Sequence, residues 1–146
     1  MAVAWHVQPK QKEKLMGTLT DQELNQFTGD LVRYRHQLNR SVIYTPGVRH
    51  MAEKGAAYWL IDAIVSHFNS PAFNRAAARD YRIETMHFWT FEKGHGTTGQ
   101  LVARADGPEE PFLVQNIDYT DFPLETINIW AAFDGEHWTL YLPSEH

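Results

Sequence analysis

Cysteine is absent from the 146-residue chain, which excludes disulfides, thiolate zinc sites and cysteine nucleophiles and fits a reducing compartment. Long apolar runs are also missing. The most apolar stretch, residues 55–68, is too short to span a bilayer and is interrupted by Asp62 and His67. The first residues lack the basic start and long apolar run of a signal peptide. The sequence therefore predicts a soluble, cytoplasmic protein without membrane contact.

Basic residues are missing from the C-terminal part of the chain. Arg104 is the last lysine or arginine, and residues 106–146 hold nine of the eighteen acidic residues. A block of one charge sign usually forms a solvated face of a sheet. The more specific interpretation is that this acidic block forms a binding surface. Its candidate residues are Asp121, Glu125, Asp134 and Glu136.

The length suits one domain, which we place at residues 19–146. Residues 1–18 are polar over most of their length and lack apolar periodicity, so they are predicted to be a flexible N-terminal extension. Thr20 and Glu23 have the spacing of a capping box. Leu19 and Leu24 flank this box as a hydrophobic staple, so a short helix is predicted from Asp21 to Phe27.

The strongest periodicity predicts one long amphipathic helix from about Val48 to Asn69, which ends before Pro71. Six apolar residues share one face of this helix and must pack on a sheet. They are Ala57, Leu60, Ile61, Ile64, Val65 and Phe68. The opposite face carries Trp59, Asp62 and Ser66, which we take as candidate binding residues, with Trp59 either covered by the N-terminal segment or exposed as an interface anchor.

From Tyr81 onward the pattern changes to short β-prone segments separated by turns. Asp134-Gly135 between two apolar runs is a strong hairpin signal. The segments run over 81–91, 100–105, 112–119, 127–133 and 137–142. A further short strand at 41–44 is compatible with pairing to residues 33–38. The fold class is therefore predicted as α+β, with the long helix packed on an antiparallel meander of about five strands.

No motif of useful catalytic or metal-binding specificity is present. Asp62 and His67 are five residues apart on the predicted helix, too far around it to meet directly. Gly94-x-Gly96-x-x-Gly99 matches a dinucleotide fingerprint, but a strand follows it where a helix is required. We predict no metal and no cofactor. A small enzyme that uses Asp62, His67 or His87 in a cleft stays as an alternative.

A second alternative is a nucleic-acid-binding module. Residues 33–50 contain four arginines and no acid, with tyrosines available for stacking. The arginines are Arg33, Arg35, Arg40 and Arg49. Because the whole chain is acidic, intramolecular pairing of this segment with the acidic C-terminal part is the simpler interpretation, and nucleic acid is the less favoured partner.

Several segments resemble a family of uncharacterised small bacterial, plasmid and phage proteins. They are Leu19–Gly29, Tyr34–His36, Tyr44-Thr45, Gly47-Val48, Ala52-Glu53, Gly55–Ile64, Thr120–Leu124 and Leu142–Glu145. Ala-Tyr-Trp-Leu-Ile-Asp at 57–62 is the most specific piece. The resemblance covers residues 19–146 and implies a mobile-element setting, but it implies no activity and no catalytic residue.

Taken together, these features favour a non-enzymatic interaction protein. The expected partner is an unidentified host protein, bound through an acidic surface that contains aromatic residues, with the chain acting as an inhibitor or a nucleic-acid mimic. A homodimer is left open by the sequence.

Overall fold

The computed structural model describes residues 18–29 and 32–146. The predicted extension at 1–18 therefore lies outside the described residues, except for Thr18. Three short elements come first: helix α1 (Asp21–Leu24), strand β1 (Tyr34–Arg35) and strand β2 (Val42–Tyr44). Three longer helices follow as α2 (Pro46–Lys54), α3 (Tyr58–His67) and α4 (Pro71–Arg79). A 3₁₀ turn at Tyr81–Glu84 then leads into the remaining strands.

The remaining strands are β3 (Met86–Lys93), β4 (Gly99–Arg104), β5 (Leu113–Ile117), β6 (Thr126–Phe133) and β7 (Trp138–Tyr141), and a 3₁₀ turn follows at Pro143–Glu145. The described strands form one seven-stranded sheet in the order β1-β2-β7-β6-β3-β4-β5. All neighbouring strands are antiparallel except β2 and β7, which are parallel. The fold class α+β is confirmed at this level.

The prediction of a five-stranded meander was wrong in the number and order of the strands. β5 and β6 follow each other in sequence but lie on opposite sides of β3 and β4, and the two short N-terminal strands extend the same sheet to seven. Periodicity in the sequence predicts that a segment forms a strand. The path of the connecting segments decides which strands lie beside it in the sheet. The segment 120–125, which contains the buried Phe122, provides the connection from β5 to β6.

The predicted long helix is two helices. α2 ends at Lys54 and α3 begins at Tyr58, with Ala56 between them at a φ of 50°. The helix is interrupted where its backbone packs closely against Phe122 and Leu19 in the core. A Cβ atom on Gly55 would lie 2.9 Å from the ring of Phe122 and 3.2 Å from Leu19. The close approach of these two side chains therefore requires glycine at position 55.

The core lies between the helices and one face of the sheet. All six residues predicted to share the helix face are buried, as are Trp89, Phe91 and Ile129 on the sheet. The capping box also forms, because the Thr20 amide donates to Glu23 Oε1 at 2.8 Å and the Glu23 amide donates to Thr20 Oγ1. The predicted periodicity was therefore right for the face of α3 that packs on the sheet.

Glu23 joins α1 to α2. Its Oε2 atom lies 2.7 Å from His50 Nε2 and 2.7 Å from Lys54 Nζ. Burial by itself raises the pKa of Glu23, but the hydrogen bonds from Lys54, His50 and Thr20 outweigh it and lower the pKa to about 2. The carboxylate is therefore held ionised as a structural anchor.

The phase of α3 predicts the effect of two substitutions. Ile64→Ala should lower the free energy of unfolding by roughly 2–5 kcal/mol, since a cavity opens in the core. Ser66→Ala should change it by less than about 0.5 kcal/mol, because Ser66 is exposed and bonds only to the Ala63 carbonyl of its own helix. Urea unfolding measures both, and equal losses would contradict the orientation of α3.

Candidate functional site: the uncovered face of the sheet

The sheet face opposite the helices carries a row of aromatic side chains. We call it the uncovered face, a name that refers to the described residues. The row consists of Tyr141, Trp130 and Phe88 from β7, β6 and β3, and it ends at Arg104 from β4. Register places Tyr141 opposite Trp130, Trp130 opposite Phe88, and Phe88 opposite Arg104. The rings of Phe88 and Trp130 meet edge to face at 5.2 Å, and those of Trp130 and Tyr141 at 6.1 Å. All four side chains are only half-buried.

A groove of about 510 Å³ runs along this row. Phe88, Thr90, Asn128 and Trp130 line it, as does Pro143 of the C-terminal 3₁₀ turn. Arg104 and the following loop residues Asp106 and Gly107 complete the lining. The volume is typical of ligand-binding clefts. A smaller cavity of about 140 Å³ shares Asn128 and Pro143 with the groove and extends toward α1.

Polar groups in the groove include both hydrogen-bond donors and acceptors. Thr90 Oγ1 donates to Asn128 Oδ1 at 2.8 Å, so the NH₂ group of Asn128 takes no part in this bond. Arg104 Nε donates to the Glu109 carbonyl at 3.0 Å, and this bond positions the guanidinium at the end of the row. Asp106 contributes a carboxylate at the same end. The groove therefore combines flat apolar surface with a few polar contacts.

His146 covers the other end of the row. Its ring stacks on Tyr141 with 5.8 Å between centroids, and its Nδ1 atom lies 2.9 Å from the Tyr141 hydroxyl. It also meets the edge of Trp130 at 5.3 Å. Burial raises the pKa of the Tyr141 hydroxyl. This end of the row is thus a packed cluster of three rings.

The chemistry of the groove suits binding. Thr90 is its hydroxyl-bearing residue, and its partner Asn128 is an amide that cannot accept a proton as a general base. In the described part of the chain, no three histidine or acidic side chains lie close enough to hold a metal ion. Among these residues, no helix has the length and apolar character needed to cross a membrane.

The candidate residues on α3 lie on the other side of the molecule. Trp59 is half-buried and meets Phe91 edge to face at 5.4 Å, so it packs against the core. Ser66 is exposed and donates to the Ala63 carbonyl. Asp62, whose side chain is 65% exposed, lies 2.8 Å from His36 Nε2. α3 therefore attaches to the β1–β2 connection through Asp62.

Asp62 does not meet His67, as their spacing on the helix predicts; its partner is His36. His36 accepts the Leu38 and Asn39 amides at its Nδ1 atom, at 3.2 and 3.0 Å. Its Nε2–H group therefore donates to Asp62, and both ring nitrogens are occupied in a neutral imidazole. His67 instead bonds to Gln115 at 2.7 Å. The geometry makes His36 and Asp62 a structural clip for the β1–β2 hairpin.

The candidate acids separate into two groups. Asp121 and Glu125 precede β6, and Asp134 and Glu136 follow it, so eight residues of extended strand stand between the groups, about 25 Å. All four residues are exposed. Asp134 also shapes its own turn, because it accepts the Glu136 and His137 amides at 2.8 and 2.7 Å. The acids flank the sheet at both ends of its central strands.

The four arginines have different local surroundings. Arg49 pairs with Glu53 at 3.1 Å and lies 4.5 Å from the ring centroid of Tyr34, so it stays within its own part of the fold. Arg33 donates to the Val32 carbonyl. Arg35 and Arg40 are exposed on β1 and in the turn after it. The acidic C-terminal part is instead reached by Arg82, which pairs with Glu109 at 2.8 Å.

Residues 18–146 match DUF6876, a family of unknown function. The chain belongs to this family. The match confirms the resemblance to an uncharacterised family, and it begins one residue before the predicted domain. No curated protein and no solved structure matches the chain. The geometry of the described residues therefore carries the functional argument.

The sequence analysis missed Phe88, Trp130 and Tyr141. The signal was present in β3, where Phe88 alternates with the buried His87 and Trp89. A strand with aromatic residues on both faces belongs to a sheet that is apolar on both sides. This pattern in β3 does not identify the row by itself, because only the strand register aligns the side chains of three separate strands.

His87 is the most perturbed histidine. It is buried among aromatic rings, including Trp138 at 4.8 Å, with Nδ1 3.3 Å from the Ile83 carbonyl and no partner for Nε2 in the described structure. Burial lowers its pKa from 6.5 to about 4. The side chain is therefore neutral in the core and unsuited to proton transfer at neutral pH.

His87 should make the protein less stable in mild acid. The unfolded state takes up a proton near pH 6.5 and the folded state only near pH 4, so the free energy of unfolding should fall as the pH drops between these values. The full loss is roughly 3 kcal/mol. His87→Leu should flatten urea-unfolding free energies between pH 7 and 4.5. His95→Gln, at an exposed loop position, is the control, and an unchanged pH slope in His87→Leu would contradict the assignment.

Proposed function

We propose that this chain is a non-enzymatic binding protein that docks a protein partner on the uncovered face of its sheet. The observation that carries the proposal is the aromatic row of Tyr141, Trp130 and Phe88, which ends in Arg104. A single-layered sheet face turned to solvent is normally polar. A continuous half-exposed aromatic row is instead typical of interaction sites, because rigid rings supply contact area at low entropic cost.

The charges around the row indicate the surface chemistry that a partner would need. Glu92 and Glu125 lie at one end of the central strands, and Asp106, Asp134 and Glu136 lie at the other. The surface is thus mainly apolar in the centre, and acids outnumber the basic residues Lys93 and Arg104 at its ends. The partner that complements it has an apolar centre and a basic rim, such as a host protein surface that otherwise takes nucleic acid. A role as an accessory protein of phages or plasmids fits this chemistry.

Single-stranded nucleic acid is the competing occupant. Bases stack on aromatic rows of sheet faces, and Arg104 lies at the end of this row. The acids at both ends oppose it, since they repel the phosphate backbone. The net charge of −5 acts in the same direction. We therefore expect no measurable binding of labelled single-stranded oligonucleotides at moderate salt.

The test compares partner capture by the full chain and by a row variant. Phe88→Ala with Trp130→Ala should abolish capture of a specific protein from bacterial lysate, because the flat contact area is removed. Tyr81→Ala is the matched control, since Tyr81 is an exposed aromatic residue away from the row. Melting temperatures check that both variants fold. Equal capture by the row variant would contradict the proposal, and oligonucleotide binding that depends on the row would assign the face to nucleic acid.

The acidic ends generate a separate prediction for the captured partner. Replacing Asp121, Glu125, Asp134 and Glu136 by amides should lower the association rate several-fold at low salt and leave the dissociation rate nearly unchanged. The reason is that attraction between exposed charges acts mainly on diffusional encounter and is screened within about 10 Å at 0.1 M salt. Surface plasmon resonance measures both rates. An association rate that ignores both the substitutions and the salt would remove the acids from the site.

A further inference from the structure

The two outer edges of the sheet differ in their protection. β1, at one edge, has two residues and carries Arg35. β5, at the other edge, has five residues, Leu113–Ile117, with no charge and no proline among them. Natural sheets usually blunt an exposed edge with charges, prolines, bulges or very short strands. β5 has none of these features.

The outer side of β5 is unpaired in the described part of the chain. Among the described residues, β5 pairs only with β4. Loop and turn hydrogen bonds of the backbone reach its neighbours Phe112 and Thr120 but none reaches β5 itself. Leu113 and Ile117 are half-buried on the helix side, and Val114 on the uncovered face is 52% exposed. An added strand would thus satisfy backbone groups and bury apolar side chains at once.

We propose that this edge is a homodimer interface, in which β5 of one copy pairs antiparallel with β5 of a second copy. Side-chain parity restricts the register, because residues that face each other must lie on the same side of the joined sheet. The register centred on Gln115 satisfies this and pairs all five residues. It places Leu113 opposite Ile117 of the second copy and Val114 opposite Asn116 of the second copy.

The second copy is the occupant because the edge complements itself. On the helix side the register sets Leu113 against Ile117 at both ends of the pair, with Gln115 against Gln115 between them, so pairing buries apolar side chains at each end of the strand. Beyond the strand, Asp118 falls opposite Phe112 of the second copy, and Glu110 falls opposite Thr120. Between residues 110 and 120 no acid therefore falls directly opposite an acid; the next pair outward sets Glu109, which pairs with Arg82, against Asp121 of the second copy. The proposal does not rest on the binding role of the uncovered face.

The test is sedimentation velocity of the full chain at low and moderate salt. At about 100 µM the parent protein should sediment as a dimer, a concentration suited to a small interface. Val114→Lys with Asn116→Lys places lysine opposite lysine twice and should raise the dimer dissociation constant roughly tenfold or more. Both positions are exposed on an edge strand, so the fold should survive. Gln37→Lys with Leu38→Lys, at exposed positions in the β1–β2 turn, adds the same charge and should leave dimerisation unchanged.

A charge-swapped variant tests the register. Val114→Lys with Asn116→Glu places each lysine opposite a glutamate of the second copy, so it should dimerise at least as well as the parent. The doubly lysine-substituted chain should also recover dimer formation when it is mixed with a Val114→Glu, Asn116→Glu chain. Circular dichroism and melting temperatures verify that each chain is folded.

Three results would overturn the proposal. A monomeric parent at about 100 µM and low salt would remove the second copy as occupant and leave the edge to an extended segment of another protein. A lysine variant that dimerises like the parent would move the interface elsewhere. A monomeric charge-swapped variant beside a dimeric parent would refute the register centred on Gln115.

Discussion

The carboxylate of Glu145 fastens the end of the described chain to a helix that begins a hundred residues earlier. It accepts the Thr45 hydroxyl at 2.6 Å, the Gly47 amide at 3.2 Å and the Leu142 amide at 2.9 Å. A carboxylate at a helix N-terminus is stabilised by the unpaired amides of the first turn. A Cβ atom on Gly47 would lie 2.7 Å from Glu145 Oε1, so any larger residue there would displace the carboxylate from these hydrogen bonds. The contact sits beside the parallel pair of β2 and β7 and holds the N-terminal part of the sheet in place.

The segments that carry the family resemblance are mostly structural. Thr45 and Gly47 meet Glu145, Gly55 lies against Phe122, and Asp62 holds His36. These contacts bring together short motifs that are far apart in the sequence. They stabilise the fold of this chain, and they say little about binding. The surfaces proposed for binding, which are the aromatic row and the β5 edge, depend on other residues.

Two proposed surfaces have different physical origins. The uncovered face combines half-buried rings with acidic ends, so it suits a partner with an apolar centre and basic surroundings. The β5 edge offers backbone hydrogen-bonding groups and apolar side chains without charge, so it suits a strand of the same kind. If both surfaces act together, joining two β5 strands doubles the length of the uncovered face. Such a dimer would present two aromatic rows to one partner or to two.

The sequence by itself determined the fold class, the capping box at Thr20 and the buried face of α3, because these depend on short-range periodicity and local hydrogen bonding. It could not place the break at Gly55 or the separation of β5 from β6, because contacts with Phe122 and Leu19 and the path of residues 120–125 decide them. The partner of Asp62 and the aromatic row were likewise decided only by tertiary structure. His36 is 26 residues from Asp62, and Phe88 is 42 residues from Trp130, so only strand register and helix packing bring these side chains together.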